Sequence, residues 1–199
     1  MTLIIGIVLT AVFYMVSANA IKKHPGLFYT GIYVWCGMVV FYFNMGYDKN
    51  FPEWFSEYFM NIFARGIFST ATFMVVMFLG TITKHNKLSR KLMSVRGEIS
   101  IIGSLIVLSH NVIFGVTYFT MLFTNPKAMT TRQIIASIIT LCLLAMLVPL
   151  FITSFKFVRR KMKGKTWKNV QRLAYPFFIG IYVHIMVLYS ADVKSHITG

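Results

Sequence analysis

His110 and His184 are the two residues of this sequence best placed to do chemistry. Each lies within a long apolar run that holds almost no other ionisable group. A charge-bearing side chain in a membrane segment costs several kcal/mol, so it marks a function or a dedicated internal partner. Imidazole has two nitrogens: one can ligate a metal while a neighbouring acceptor holds the other. The other three histidines, His24, His85 and His196, fall in or near the breaks between apolar runs. A lone membrane histidine is equally well explained by a structural hydrogen bond. It is the pair that invites a ligand.

Spacing makes them a pair. His110 follows Arg96 by 14 residues, about 21 Å of helical rise. His184 follows Gln171 by 13 residues, about 20 Å. If both helices cross in the same direction, the imidazoles reach similar depth, in the outer half of an apolar layer about 30 Å thick. Two such histidines on different helices can hold a metal or a haem iron from opposite faces. Zinc takes three or four ligands, and no third His, Asp or Glu falls at that depth. Gly103 and Gly180 lie on the histidine-bearing faces. They either leave room for a flat ligand or admit a close neighbouring helix. Ser109 and Asn111 flank His110 and are in reach to orient it. Arg65, in the outer part of the third run, either snorkels to the interface or meets an anion such as a propionate, or a quinone oxygen.

The elements that must position these residues are membrane helices. The chain has 199 residues, 57% hydrophobic and 13% charged, against about 25% charged in ordinary soluble domains. That excludes a typical soluble globule and a disordered chain. Apolar runs fall at about 2–20, 26–46, 58–82, 98–123, 132–155 and 170–190, with no period-2 alternation. The predicted fold is all-α: a single polytopic membrane domain over 1–199, built as a six-transmembrane-helix bundle. His24-Pro25-Gly26, Gly46-Tyr47-Asp48, Asn125-Pro126 and Lys163-Gly164-Lys165 supply turn chemistry between runs. No Lys or Arg precedes Lys22, so the first run reads as a retained helix rather than a cleaved leader. Cys36 and Cys142 lie in apolar runs, without the spacing of a disulfide framework or zinc site.

The charge pattern orients the bundle. Net charge is +15, from 20 Lys+Arg against 5 Asp+Glu. Loops 21–25, 83–97 and 156–169 hold 2, 5 and 7 basic residues, 14 of the 20. Lys49, Lys127, Arg132 and Lys194 lie on the other side with Asp48, Glu53, Glu57 and Asp192. The positive-inside rule then predicts both termini outside and the basic loops in the cytoplasm. This accounts for the charge without nucleic acid. The last two basic loops also suit anionic membrane lipid or an acidic cytoplasmic partner. Trp54, Phe55 and Tyr58 fit an outer interfacial belt, and Trp167 an inner one.

Two spaced motifs carry a resemblance. One is Arg96-Gly97-Glu98 followed by Leu108-Ser109-His110. The other is Thr153-Ser154, Trp167, Gln171-Arg172-Leu173-Ala174-Tyr175 and then His184. Over about 60–190 the chain resembles the ferric-reductase-like transmembrane domain family. Within it, the chain is most similar to the haem-binding membrane subunits of periplasmic methionine sulfoxide reductase systems (the MsrQ/YedZ type). The resemblance implies a six-helix b-type cytochrome in which His110 and His184 are axial ligands of a haem b near the outer face. Many relatives carry a second histidine pair nearer the cytoplasm, where this chain has Arg96 and Gln171. Trp167, Arg172 and Leu173 are kept, so the departure is local. It favours one haem over two and leaves Arg96, Gln171 and Arg172 to bind propionates or a quinone.

The expected function is electron transfer within or across the membrane to an extracytoplasmic acceptor. No GxGxxG or P-loop pattern is present, and a nucleotide-binding domain after the last run is not expected. The donor is then a quinol or a separate cytoplasmic flavin reductase, and a bound quinone or flavin is a further expectation. The bacterial cytoplasmic membrane is the expected location. Two alternatives stay open. One is a membrane protein that sequesters or senses haem without relaying electrons; the other is a haem-free small transporter or assembly subunit.

Overall fold

A computed structural model describes residues 2–47, 51–81 and 86–197. Asp48, Lys49, Lys84 and His85 lie outside the described residues, as do the side chains of Glu57, Tyr58, Asp192, Lys194 and His196. Almost every described residue is helical, and none is in a strand. Five helical runs are long and apolar enough to cross a membrane: Ile4–Lys23, Pro25–Asn44, Arg96–Thr124, Thr131–Ser154 and Gly164–Tyr189. The chain is a multi-pass membrane protein by this measure.

The helices are α1 (Thr2–Lys23), α2 (Pro25–Asn44), α3 (Asn61–Ala64), α4 (Ile67–Thr81), α5 (Lys87–Met93), α6 (Arg96–His110), α7 (Val116–Thr124), α8 (Thr131–Ser154), α9 (Lys156–Lys161), α10 (Gly164–Gln171) and α11 (Ala174–Ile197). Wider π turns occupy Phe55–Met60, ahead of α3, and Asn111–Gly115, between α6 and α7. The chain divides into two compact units. The first comprises Met1–Ile113 and Ser154–Lys161; the second comprises Phe114–Thr153 and Met162–Gly199.

Local chemistry sets the breaks. Pro25 opens α2 at a position where its missing N–H costs no hydrogen bond. Asn86 caps α5, its side chain accepting from Ser89 N at 2.8 Å. The third apolar run, expected as one helix, is divided at Arg65-Gly66. Gly66 has φ +74°, a left-handed conformation that ends α3 and that side chains other than glycine resist. Beyond the break the chain resumes as the 15-residue α4, about 22 Å long.

In the first unit, α4 packs against α1 and α6, and α6 also against α2. Tyr14, Ile99, Ile102 and Ile106 are fully buried there. Tyr14 Oη lies 3.2 Å from Thr72 Oγ1, which donates to Phe68 O at 2.8 Å. The threonine proton is thereby used, so Tyr14 donates. Gly103 sits beside this pair. A Cβ there would stand 2.9 Å from Thr72 Cγ2, so the glycine is what lets α6 approach α4.

In the second unit, a Cβ on Gly180 of α11 would stand 2.8 Å from Leu143 Cδ2 of α8. Of the two roles open to these glycines, close helix packing is the one that the neighbouring atoms match. The space beside each is filled by protein.

Candidate functional site

His110 closes α6 in the first unit. Its Nδ1 lies 2.6 Å from the carbonyl oxygen of Ala64, the last residue of α3. The break at Arg65-Gly66 explains why that carbonyl is available. At a helix end the final carbonyls lose their intrahelical partners. A carbonyl only accepts, so Nδ1 carries the hydrogen and the neutral ring's lone pair resides on Nε2. The ring also rests on the turn: a Cβ on Gly66 would lie 3.5 Å from His110 Cγ and Nδ1. Ser69 Oγ donates to Gly66 O at 2.9 Å and braces the bend. Arg65 stands between the two residues that touch His110, with its side chain exposed.

The flanking polar residues turn back on their own helix. Ser109 Oγ donates to Ile106 O and Asn111 Nδ2 to Val107 O, each at 2.8 Å. Both sequence candidates for orienting the imidazole therefore serve α6, and the orienting group is Ala64. The backbone opens into its π turn directly after His110, a deviation frequent at functional positions.

His184 lies on α11 in the second unit. Its Nδ1 is 3.3 Å from Thr140 Oγ1 of α8. Thr140 donates its single proton to Ala136 O at 2.8 Å. The hydroxyl can then only accept from the ring, so His184 also carries its hydrogen on Nδ1 and its lone pair on Nε2. The two histidines reach the same tautomer by different means, a backbone carbonyl and a threonine hydroxyl.

The residues at the expected inner positions are engaged in the fold. Arg96 lies along α4: Nε donates to Val76 O at 3.2 Å, and a Cβ on Gly80 would come within 3.1 Å of Nη2. Gln171 Nε2 donates to Thr153 Oγ1 at 3.0 Å, and Thr153 in turn donates to Pro149 O at 2.6 Å. Trp167 Nε1 donates to Thr153 O at 3.1 Å. Two parts of the second motif, distant in sequence, thus meet at the end of α8. Arg172 is exposed.

Glu98 has a role that residue type and spacing alone did not assign. It is buried in the first turn of α6, and Lys156 Nζ lies 2.6 Å from its Oε1. The pair ties α9 to α6. Gly97, one residue earlier, faces the Ser154 carbonyl, which would stand 3.3 Å from an added Cβ. The signal available in the sequence was a lone acid in an apolar run beside a basic loop.

Among the described residues, no group of three or more His, Cys, Asp or Glu side chains is arranged to hold a metal ion. A donor set of the zinc type is therefore not seen there. His110 belongs to the first unit and His184 to the second.

No protein-family model and no solved structure matches the chain. The chain is similar to an uncharacterized protein of Treponema pallidum (strain Nichols), 33% identical over 193 residues. The matched region is 95% of this chain and 52% of that protein. The chain thus spans about half the length of the curated relative it matches.

Proposed function

We propose that the chain is a membrane b-type cytochrome of the ferric-reductase-like kind, with one haem held between His110 and His184. The observation that carries this reading is the pair of Nδ1 hydrogen bonds, to Ala64 O and Thr140 Oγ1. Axial imidazoles ligate through one nitrogen while the other is tied to an acceptor, which fixes the ring and raises its basicity. The donor chemistry of both residues fits that requirement. A haem there would supply one-electron exchange at a potential tuned by ligation and burial.

Each remaining residue then has a part. Arg65, beside the His110 turn, and Arg172, at the end of α10, offer exposed cations to propionate carboxylates or a quinone oxygen. Arg96 and Gln171 are held by Val76 O and by Thr153, which supports one haem rather than two. In this reading the broken third run completes a six-span bundle in the bacterial cytoplasmic membrane, both termini outside. Electrons come from a quinol or a separate cytoplasmic flavin reductase and leave to an extracytoplasmic acceptor protein.

The test is the optical spectrum of protein purified from haem-supplied cells, oxidised and then reduced with dithionite, with haem counted per chain. A low-spin b-type spectrum near one haem, lost in His110→Ala and in His184→Ala, is the expected result. A colourless protein ends this reading and leaves a haem-free membrane protein. Haem that loads reversibly but is not reduced by quinol or a reductase means sequestration rather than relay.

A further inference from the structure

We infer that α10 is a docking surface for anionic phospholipid headgroups. Apart from Arg172, which the haem reading also uses, this concerns a part of the chain outside that reading. The segment 156–172 carries Lys156, Arg159, Arg160, Lys161, Lys163, Lys165, Lys168 and Arg172 and no acidic residue. Topology alone asks only that such charges be present on one side. The structure adds an arrangement that topology does not require.

Helix α10 is held by one face. Trp167 Nε1 and Gln171 Nε2 both bond to Thr153, and Trp167, Val170 and Gln171 are half-buried at helical spacing. Fixing that face turns the opposite one outward. Lys165, Lys168 and Arg172 are exposed and recur at i, i+3 and i+7, so they share a stripe. Thr166 and Asn169 lie exposed among them, and Lys163 is exposed just before the first turn. The outward face is thus cationic with neutral hydrogen-bond donors, and segment 156–172 contributes no carboxylate to neutralise it.

The partner that fits is the phosphate of a lipid headgroup. An apolar stretch comes next: α11 begins at Ala174. A cationic amphipathic turn with a tryptophan, joined directly to an apolar span, is the pattern of an interfacial helix that reads an anionic leaflet. An acidic protein would meet the same charges, but the adjoining span keeps this face at the membrane surface.

The experiment uses the full chain purified in a neutral detergent, which removes insertion and orientation from the result. Phosphatidylglycerol and phosphatidylcholine are supplied together, and the lipid retained is measured by native mass spectrometry. The unfolding midpoint is followed with each lipid alone. The wild type is expected to retain phosphatidylglycerol in preference, to gain stability from it alone, and to lose the preference at high salt. The triple variant Lys163→Gln, Lys165→Gln, Lys168→Gln should lose selectivity by on the order of fivefold per lysine. Lys22→Gln with Lys23→Gln, of equal charge type in another loop, should keep it. The corresponding triple Lys→Arg variant should also keep it, which separates charge from misfolding. Equal retention of both lipids overturns the proposal, and so does full selectivity in the triple glutamine variant. In the former case an acidic protein becomes the occupant to seek. Haem content is read in the same samples, so failure here is distinct from failure of the cytochrome reading.

Discussion

The Nδ1 of His110 and the carbonyl oxygen of Ala64 lie 2.6 Å apart, although 46 residues separate them in sequence. The contact exists because α3 stops at Ala64. Had the third apolar run continued as one helix, that carbonyl would have been committed to its own ladder. A break in one membrane helix is thus coupled to the orientation of a histidine on another. Breaks of this kind persist in membranes only where the released backbone groups find partners within the protein, and His110 is such a partner.

Gly66 should resist substitution because of its backbone conformation rather than its packing. At φ +74°, alanine costs about 1 kcal/mol of strain, and asparagine, which tolerates this region, costs less. An added Cβ meets His110 at an ordinary 3.5 Å, so the loss comes from the backbone. Thermal unfolding in detergent should rank glycine above asparagine above alanine. A valine variant as stable as the wild type contradicts the assigned turn.

Thr140 is a positioning residue for His184. Thr140→Val removes the acceptor at Nδ1 and frees the ring to change tautomer or rotate, whereas Thr140→Ser retains it. Losing such an outer partner typically lowers ligand affinity 10- to 100-fold. In the proposed cytochrome, haem affinity by titration of apo-protein, with the g-values of the oxidised form by electron paramagnetic resonance, separates ligand reorientation from simple destabilisation. Unchanged affinity and g-values in the valine variant would remove Thr140 from the site.

Glu98 and Lys156 should couple. Removing the lysine strands a buried carboxylate, yet Lys156 is 60% exposed, so solvent screens the pair and the loss should be about 1 kcal/mol. Glu98→Gln in the Lys156→Ala background should restore part of it, because the stranded charge is gone. A double-mutant cycle on unfolding free energy reads the coupling directly. Additive single effects would mean that the pair contributes nothing.

Two glycines should respond differently to the same alanine substitution. At Gly103 the obstacle is Thr72, branched at Cβ and held by hydrogen bonds to Tyr14 and Phe68 O. It cannot turn aside without losing them, so overpacking there should cost about 1–3 kcal/mol. At Gly180 the obstacle is Cδ2 of Leu143, the end of a flexible side chain, and the cost should stay below about 1 kcal/mol. Equal midpoint shifts for the two variants would refute this account.

Much of the architecture is legible in the residue order because it depends on composition and local chemistry. Long apolar runs must be helical to satisfy their backbones in lipid. Thus the all-helical character, five of the spans, and the breaks at His24-Pro25 and Asn125-Pro126 follow from residue type and spacing. His110 and His184 stand out for the same reason: an ionisable group in an apolar run is costly wherever the run packs. What the order of residues leaves open is which atoms face which. Gly66 is one glycine among 13 in the chain, and only the folded backbone puts it at positive φ and divides the third run. Ala64 and Thr140 carry no chemical mark of their own. They become histidine partners because a freed carbonyl on α3 meets the end of α6, and a hydroxyl on α8 meets α11. Glu98 finds Lys156, and Thr153 finds Trp167 and Gln171, across separations that no local rule spans. Hydrogen bonding is short-ranged and directional, so those partners are set by tertiary packing, whereas hydropathy acts residue by residue and can be read along the chain.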